Sequence, residues 1–195
     1  MIRRNIVMAV LMVCCWSPAH ADECNGLRYV DNGNGTVTDC RTGLIWLKTP
    51  ICFDQSNGIA NTTGRLTWYD AMKWTAGLGN GLCGLTDGSH AGHWRLPTRT
   101  EFMAMTESAR KLGYSNPAFT NAAGIAQWTA GNVFTDVYST FWTSTTSATN
   151  EAMAYFVWHA DGVASVWYKA DGVNYFTPWP VRGGQTGTFG GLRID

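Results

Sequence analysis

The 195-residue chain has no surplus of either charge and little charge of any kind: 14 Lys and Arg stand against 14 Asp and Glu, and charged residues make up only 14% of the chain. Nucleic-acid binding leans on clustered cations that neutralise phosphates, so this composition argues against such a partner. After the N-terminal run Ile6 to Trp16, no stretch approaches the roughly 18 to 20 apolar residues that a membrane helix needs. The chain also has no G-x-S-x-G elbow, no H-E-x-x-H motif and no glycine-rich phosphate loop, so three common sequence routes to catalysis are missing. Cysteine is absent beyond Cys83.

What is present begins with an export signal. Arg3 and Arg4 precede the apolar run, and Ala19-His20-Ala21 places small residues around a larger one, which predicts cleavage after Ala21. Removing residues 1–21 leaves 174 of the 195 residues, enough for one domain with a sizeable core. Without Arg3 and Arg4 the mature chain has 12 basic against 14 acidic side chains, a net charge of −2. Four cysteines survive cleavage: Cys24, Cys40, Cys52 and Cys83. In an exported chain an even number implies two disulfides, with three pairings open; the absence of any C-x-x-C pair weighs against a four-thiolate zinc site.

The pattern along the chain is mixed. A hairpin is expected from Leu27 to Val30 and Thr36 to Asp39 around Asn32-Gly33-Asn34-Gly35, followed by a strand from Leu44 to Leu47. The Asn/Gly turn lacks the EF-hand spacing and its terminal Glu, and it reads as a turn. Thr67-Trp68-Tyr69-Asp70 and Thr98-Arg99-Thr100-Glu101 are capping-box sequences that predict helices over 67–78 and 98–112. Pro97 ends an extended Trp94-Arg95-Leu96. Gly113 to Thr140 is expected to be a long ordered loop. Beyond it, Met153 to His159, Val163 to Lys169 and Val173 to Val181, separated by two Ala-Asp-Gly turns, predict a three-stranded meander. Residues 184–195 read as a glycine-rich tail, mobile or ordered by a partner.

Trp94-Arg95-Leu96-Pro97-Thr98 with Glu101-Phe102, together with Asp31 to Asp39, Thr42-Gly43-Leu44-Ile45-Trp46, Phe141-Trp142-Thr143-Ser144-Thr145 and Pro180-Val181-Arg182-Gly183, occurs in the order of a known family. The chain resembles the C-terminal domain of the Legionella collagen-like adhesin. The resemblance implies an α+β, C-type-lectin-like fold, shared more distantly with formylglycine-generating enzymes and phage receptor binders. It also implies a Cys52–Cys83 pair flanking the first helical region, which leaves Cys24 with Cys40. The cysteine chemistry of the formylglycine-generating enzymes lies near the C-terminal end of that fold, where this chain has no cysteine. The E-P-N, Q-P-D and W-N-D tripeptides of calcium-dependent lectins are likewise missing. The family adhesin carries a collagen-like stalk, and its terminal domain trimerises and binds sulfated glycosaminoglycans. This chain has no Gly-X-Y repeat, and Arg110-Lys111 is the one adjacent basic pair after Ala21.

The positive signal for function is aromatic. In Met153 to Ala160, Ala154, Phe156 and Trp158 alternate with Met153, Tyr155 and Val157, so neither face is plainly polar. In the phage binders the last meander carries the ligand contacts. By position, the resemblance makes Trp158, Trp167, Tyr168, Lys169, Asn174 and Tyr175 the candidate ligand residues, while Trp46, Trp94 and Trp142 belong to framework motifs. Aromatic rings serve sugar faces and protein interfaces alike. His90 and His93, three apart with Asp87 nearby, sit in a Gly/Ser-rich loop with no third ligand fixed by spacing, and no metal or cofactor is implied. The expected protein is an exported, non-enzymatic adhesion module, in the periplasm, at the cell surface or outside it, binding a glycan or a surface protein, and a possible homo-oligomer. A structural subunit of an envelope assembly and a carboxylate-pair hydrolase are the alternatives.

Overall fold

A computed structural model describes residues 24–170 and 175–183, and the backbone of 187–189 and 192–194. The expected signal segment, 1–21, lies outside the described residues. The chain starts with three short antiparallel strands, β1 (Tyr29–Asp31), β2 (Thr36–Asp39) and β3 (Leu44–Leu47). A two-residue pair, β4 (Gln55–Ser56) and β5 (Ile59–Ala60), leads to helix α1 (Trp68–Ala76), and helix α2 (Arg99–Lys111) follows. Strands β6 (Thr140–Thr146), β7 (Met153–Trp158) and β8 (Ala164–Tyr168) form a second antiparallel sheet in chain order. β9 (Val181–Gly183) then returns to β3, giving a first sheet ordered β1-β2-β3-β9. The fold class is α+β.

Local chemistry accounts for these elements. The β1–β2 turn closes because the Asn32 amide donates to the Thr36 and Thr38 hydroxyls at 2.7 and 3.1 Å, while Asp31 accepts from the Gly33 amide at 3.0 Å. Gly35 has φ +83°, and a Cβ there would collide with the Gly84 carbonyl, so the turn needs glycine twice over. At α2 the capping box is complete: Thr98 Oγ1 accepts from the Glu101 amide at 3.2 Å, and Glu101 Oε2 accepts from the Thr98 amide at 2.7 Å. At α1 only half of the predicted box forms. Thr67 caps the Asp70 amide, but the Asp70 carboxylate takes the Thr67 hydroxyl instead of its amide, because Asp is one methylene shorter than Glu. Gly113 to Ser139 contains no helix or strand, as expected of the long loop.

The predicted meander needs correction. Its first two strands exist as β7 and β8, but the third member of that sheet is β6, on the far side of β7. The stretch expected as a third strand lies partly outside the described residues. Its remainder makes single bridges, Phe176 to Leu66 and Thr177 to Phe141, before joining the other sheet as β9. Pro178 and Pro180 supply no amide hydrogens, so this segment cannot sustain a ladder beside β8. Where the sequence predicts a C-terminal tail, the backbone pairs β10 (Gly187–Phe189) with β11 (Leu192–Ile194).

Trp179 is the centre of the core. Its ring centroid lies 4.9 to 5.7 Å from those of Trp46, Phe102, Phe119, Phe134 and Phe141, and its indole N–H donates to the Leu47 carbonyl at 2.8 Å. Trp46, Trp94 and Trp142 are fully buried, in line with their reading as framework. Disulfides join Cys24 to Cys40 and Cys52 to Cys83.

Candidate functional site

The candidate residues fall on two faces of the β7–β8 ribbon. Val157 faces the buried core, and Tyr155 on the same face lies beneath the Arg99 guanidinium at 4.6 Å. The opposite face divides along its length. Near its middle, Phe156 packs on Phe176 at 4.7 Å, and Phe176 on Trp142 at 4.6 Å, so the returning segment covers it. To either side of that middle position, Trp158 is 49% exposed and Trp167 is 38% exposed. Together with Thr140, Phe156, Asp161, Val163, Ser165 and Phe176 they line an open groove of about 360 Å³.

The register explains why these side chains share a face. Ser165 lies opposite Phe156 and Trp167 opposite Ala154, and residues two apart on a strand point the same way. The turn between the strands is held from below: Thr106 on α2 donates to the Gly162 carbonyl at 2.9 Å. Asp161, at the groove rim, is exposed and accepts from the Val163 amide at 2.9 Å through one oxygen. It is the one ionisable side chain that lines the groove among the described residues. Asp161, Ser165 and Thr140 were not among the sequence candidates. The Ala-Asp-Gly turn marked Asp161 as a turn former, and no local pattern distinguishes that role from a ligand contact.

The other candidates are elsewhere. Tyr168 lines a second hollow of about 310 Å³ with Tyr69, Ala152 and Ala170. Tyr175 is exposed but lines neither hollow. Asn174 lies outside the described residues. Lys169 does not fit the expected surface role, since it is only 7% exposed. Its ammonium sits over the Trp68 ring at 4.3 Å and donates to Thr146 Oγ1 at 2.8 Å, because the strand pleat turns it under α1.

The remaining ionic groups brace the framework. Arg95 makes a bidentate pair with Glu101 at 2.6 and 2.8 Å. Arg182 meets Asp87 at 3.1 Å and lies over Trp94, whereas Arg28 pairs with buried Asp39 at 3.5 Å. For the Asp87 carboxyl, burial raises the pKa, but hydrogen bonds from Ser89 and the charge of Arg182 outweigh it, and the net shift is downward. The Asp87 side chain is fully buried against Arg182, while His90 and His93 lie at the surface with their ring centroids 3.5 Å apart and tilted by 44°. Among the described residues one cluster has metal-ligand spacing, Cys52, Asp54 and Cys83, but its sulfurs are joined to each other.

The family model of the Lcl C-terminal domain, that of the Legionella collagen-like adhesin, matches residues 35–182, from the β1–β2 turn to β9. The chain belongs to this family. The match takes in β2 and β3 of the first sheet, the whole β6-β7-β8 sheet, both helices and all the groove-lining residues of this Lcl C-terminal domain. No curated protein matches the chain, and no solved structure does. Membership marks an adhesin-like domain. No helix among the described residues is long and apolar enough to cross a membrane.

Proposed function

We propose that this Lcl C-terminal domain is an exported, non-enzymatic adhesion module that binds a glycan in the groove between Trp158 and Trp167. One observation carries the reading: two large indoles stand half-exposed on the same face of adjacent strands, with Thr140, Ser165 and Asp161 beside them. Burying such rings inside the domain would have been favourable by about 2 to 3 kcal/mol each, and pyranose C–H faces are suitable cover for them. Hydroxyls and a carboxylate at the rim supply hydrogen bonds to sugar hydroxyls. The single carboxylate in the groove disfavours a paired-carboxylate hydrolase there.

Two disulfides support export, into the periplasm, to the cell surface or beyond. The fold is read as C-type-lectin-like: the N-terminal strands and the late strand β9 meet in one sheet, β1-β2-β3-β9, and the ligand groove belongs to the second. The test is a glycan array probed with the oxidised mature chain, residues 22–195, in calcium and again in chelator. Binding is expected, with Trp158→Ala and Trp167→Ala each weakening it roughly tenfold or more. An array silent under both conditions, or binding that neither substitution weakens, overturns the reading.

A further inference from the structure

The spacing of the two groove indoles sets the length of what they can hold together. In the β7–β8 register Trp167 lies opposite Ala154, and Trp158 stands four residues further along β7. Four residues of strand extend about 13 Å and one strand spacing adds about 5 Å at right angles, so the two backbone positions are roughly 14 Å apart. Side chains stand roughly perpendicular to a sheet, so the rings do not converge on one centre. The space between them is also taken: Phe156 lies opposite Ser165 at the midpoint, and the Phe176 ring packs on Phe156 at 4.7 Å. A pyranose ring is no larger than an indole, and one sugar cannot stack on both.

The polar groups are placed unevenly along this line. Thr140 on β6 is opposite Trp158, and Asp161 follows in the adjoining turn, while exposed Ser165 marks the middle. The ionisable side chain that lines the groove among the described residues is an acid, Asp161. The described cations of the ribbon are engaged elsewhere, Lys169 over Trp68 under α1 and Arg99 over Tyr155 on the other face. Residues 171–174, Asp-Gly-Val-Asn, hold no cationic side chain. A sulfate or carboxylate on a ligand at the Trp158 end would meet a like charge. The sulfated glycosaminoglycans bound by the family adhesin call for cations, and here the groove offers Asp161 instead.

Resting on the glycan reading of this groove, we propose that its ligand is an extended, uncharged glycan chain that lies along the β7–β8 ribbon. Bridging the indoles takes roughly three to four sugar residues. One outer sugar stacks on Trp158, within reach of Thr140 and Asp161, and the other on Trp167. The sugars between them cross Phe176 beside Ser165.

The test is isothermal titration calorimetry of the oxidised mature chain with size ladders, from monosaccharide to hexasaccharide, of cello-, malto-, laminari- and chito-oligosaccharides, and with heparin oligosaccharides of matching size. In at least one neutral ladder affinity is expected to rise about tenfold or more from disaccharide to tetrasaccharide and then to level off. Heparin tetrasaccharide should bind about tenfold more weakly or not at all. Trp158→Ala and Trp167→Ala should each reduce the tetrasaccharide to about the affinity of the disaccharide, with an unchanged circular dichroism spectrum. Each should alter disaccharide binding only about twofold, since that probe can stack at either end. A disaccharide that binds as tightly as the tetrasaccharide, a tetrasaccharide that depends on one indole alone, or heparin that binds as tightly as the neutral chains overturns the proposal. Absence of binding to all four neutral ladders overturns it too. Should a variant fail to fold, the wild-type ladders decide by themselves. The glycan reading fails separately, on an array whose charged and branched glycans are silent as well.

Discussion

The Lys169 ammonium lies 4.3 Å from the centre of the Trp68 indole, where the end of the β7–β8 ribbon meets the first turn of α1. The contact is reinforced by the backbone: the Trp68 amide donates to the Lys169 carbonyl at 3.1 Å, and the Trp68 indole N–H to the Thr143 carbonyl at 2.8 Å. A cation at this buried position ties the first helix to the second sheet.

Lys169 is consequently a stability residue. Replacing it with Ala is expected to lower unfolding free energy by about 1 to 2 kcal/mol, through loss of the cation–π contact and the bond to Thr146. Urea denaturation measures this. Ligand affinity at the Trp158 groove should be unchanged at temperatures where the variant is folded; a tenfold loss of affinity without loss of stability would contradict the assignment.

Gly162 sets the height of the ribbon above α2. It has φ +65°, and a Cβ there would lie 2.8 Å from Thr106 Cβ and 3.0 Å from Ala118 Cβ. Gly162→Ala combines a strained backbone with overpacking and is expected to cost about 1 to 3 kcal/mol. Because the turn carries Asp161, ligand affinity should fall with it. Thermal unfolding beside binding measurements tests both.

Acid should destabilise the domain from the carboxylate side. Hydrogen bonding to Lys111, followed by Arg41, holds the Glu107 carboxyl below its ordinary range. At Asp31 burial pushes upward, but Lys48 and the Gly33 amide outweigh it, and at Asp87 Ser89 and Arg182 do the same. All three are depressed in the folded state, so unfolding takes up protons. Their stabilisation is present above the ordinary carboxylate values of about 4 and is lost as pH falls through the depressed ones. Denaturant midpoints are expected to be flat from about pH 5 to 7 and to fall below about pH 4. A midpoint that rises on acidification would refute the sign.

Much of the fold was legible because its signals are local. Thr98 and Glu101 specify a helix start through bonds three residues apart, and Asn32 to Gly35 specify a turn through side-chain length and positive φ. Asp70 marks the limit of such reading: the same pattern with a shorter acid caps the helix differently. Trp158 and Lys169 show why the site was harder. Alternation along a strand tells which residues share a face but not what lies against that face, and both faces of this ribbon are apolar.

The sequence by itself determined the family motifs, the two capped helices, the N-terminal hairpin and the composition that disfavours nucleic acid, since each rests on neighbouring residues or on sums over the chain. Only the tertiary structure decided that β6 rather than the C-terminal segment completes the second sheet, and that Lys169 is buried under α1 while Trp158 and Trp167 frame a groove. The physical reason is that these outcomes depend on which distant segment covers a given face. Phe176 covers the middle of the ribbon and leaves the Trp158 and Trp167 indoles on either side of it half-exposed, a competition between segments far apart in sequence that no local pattern records.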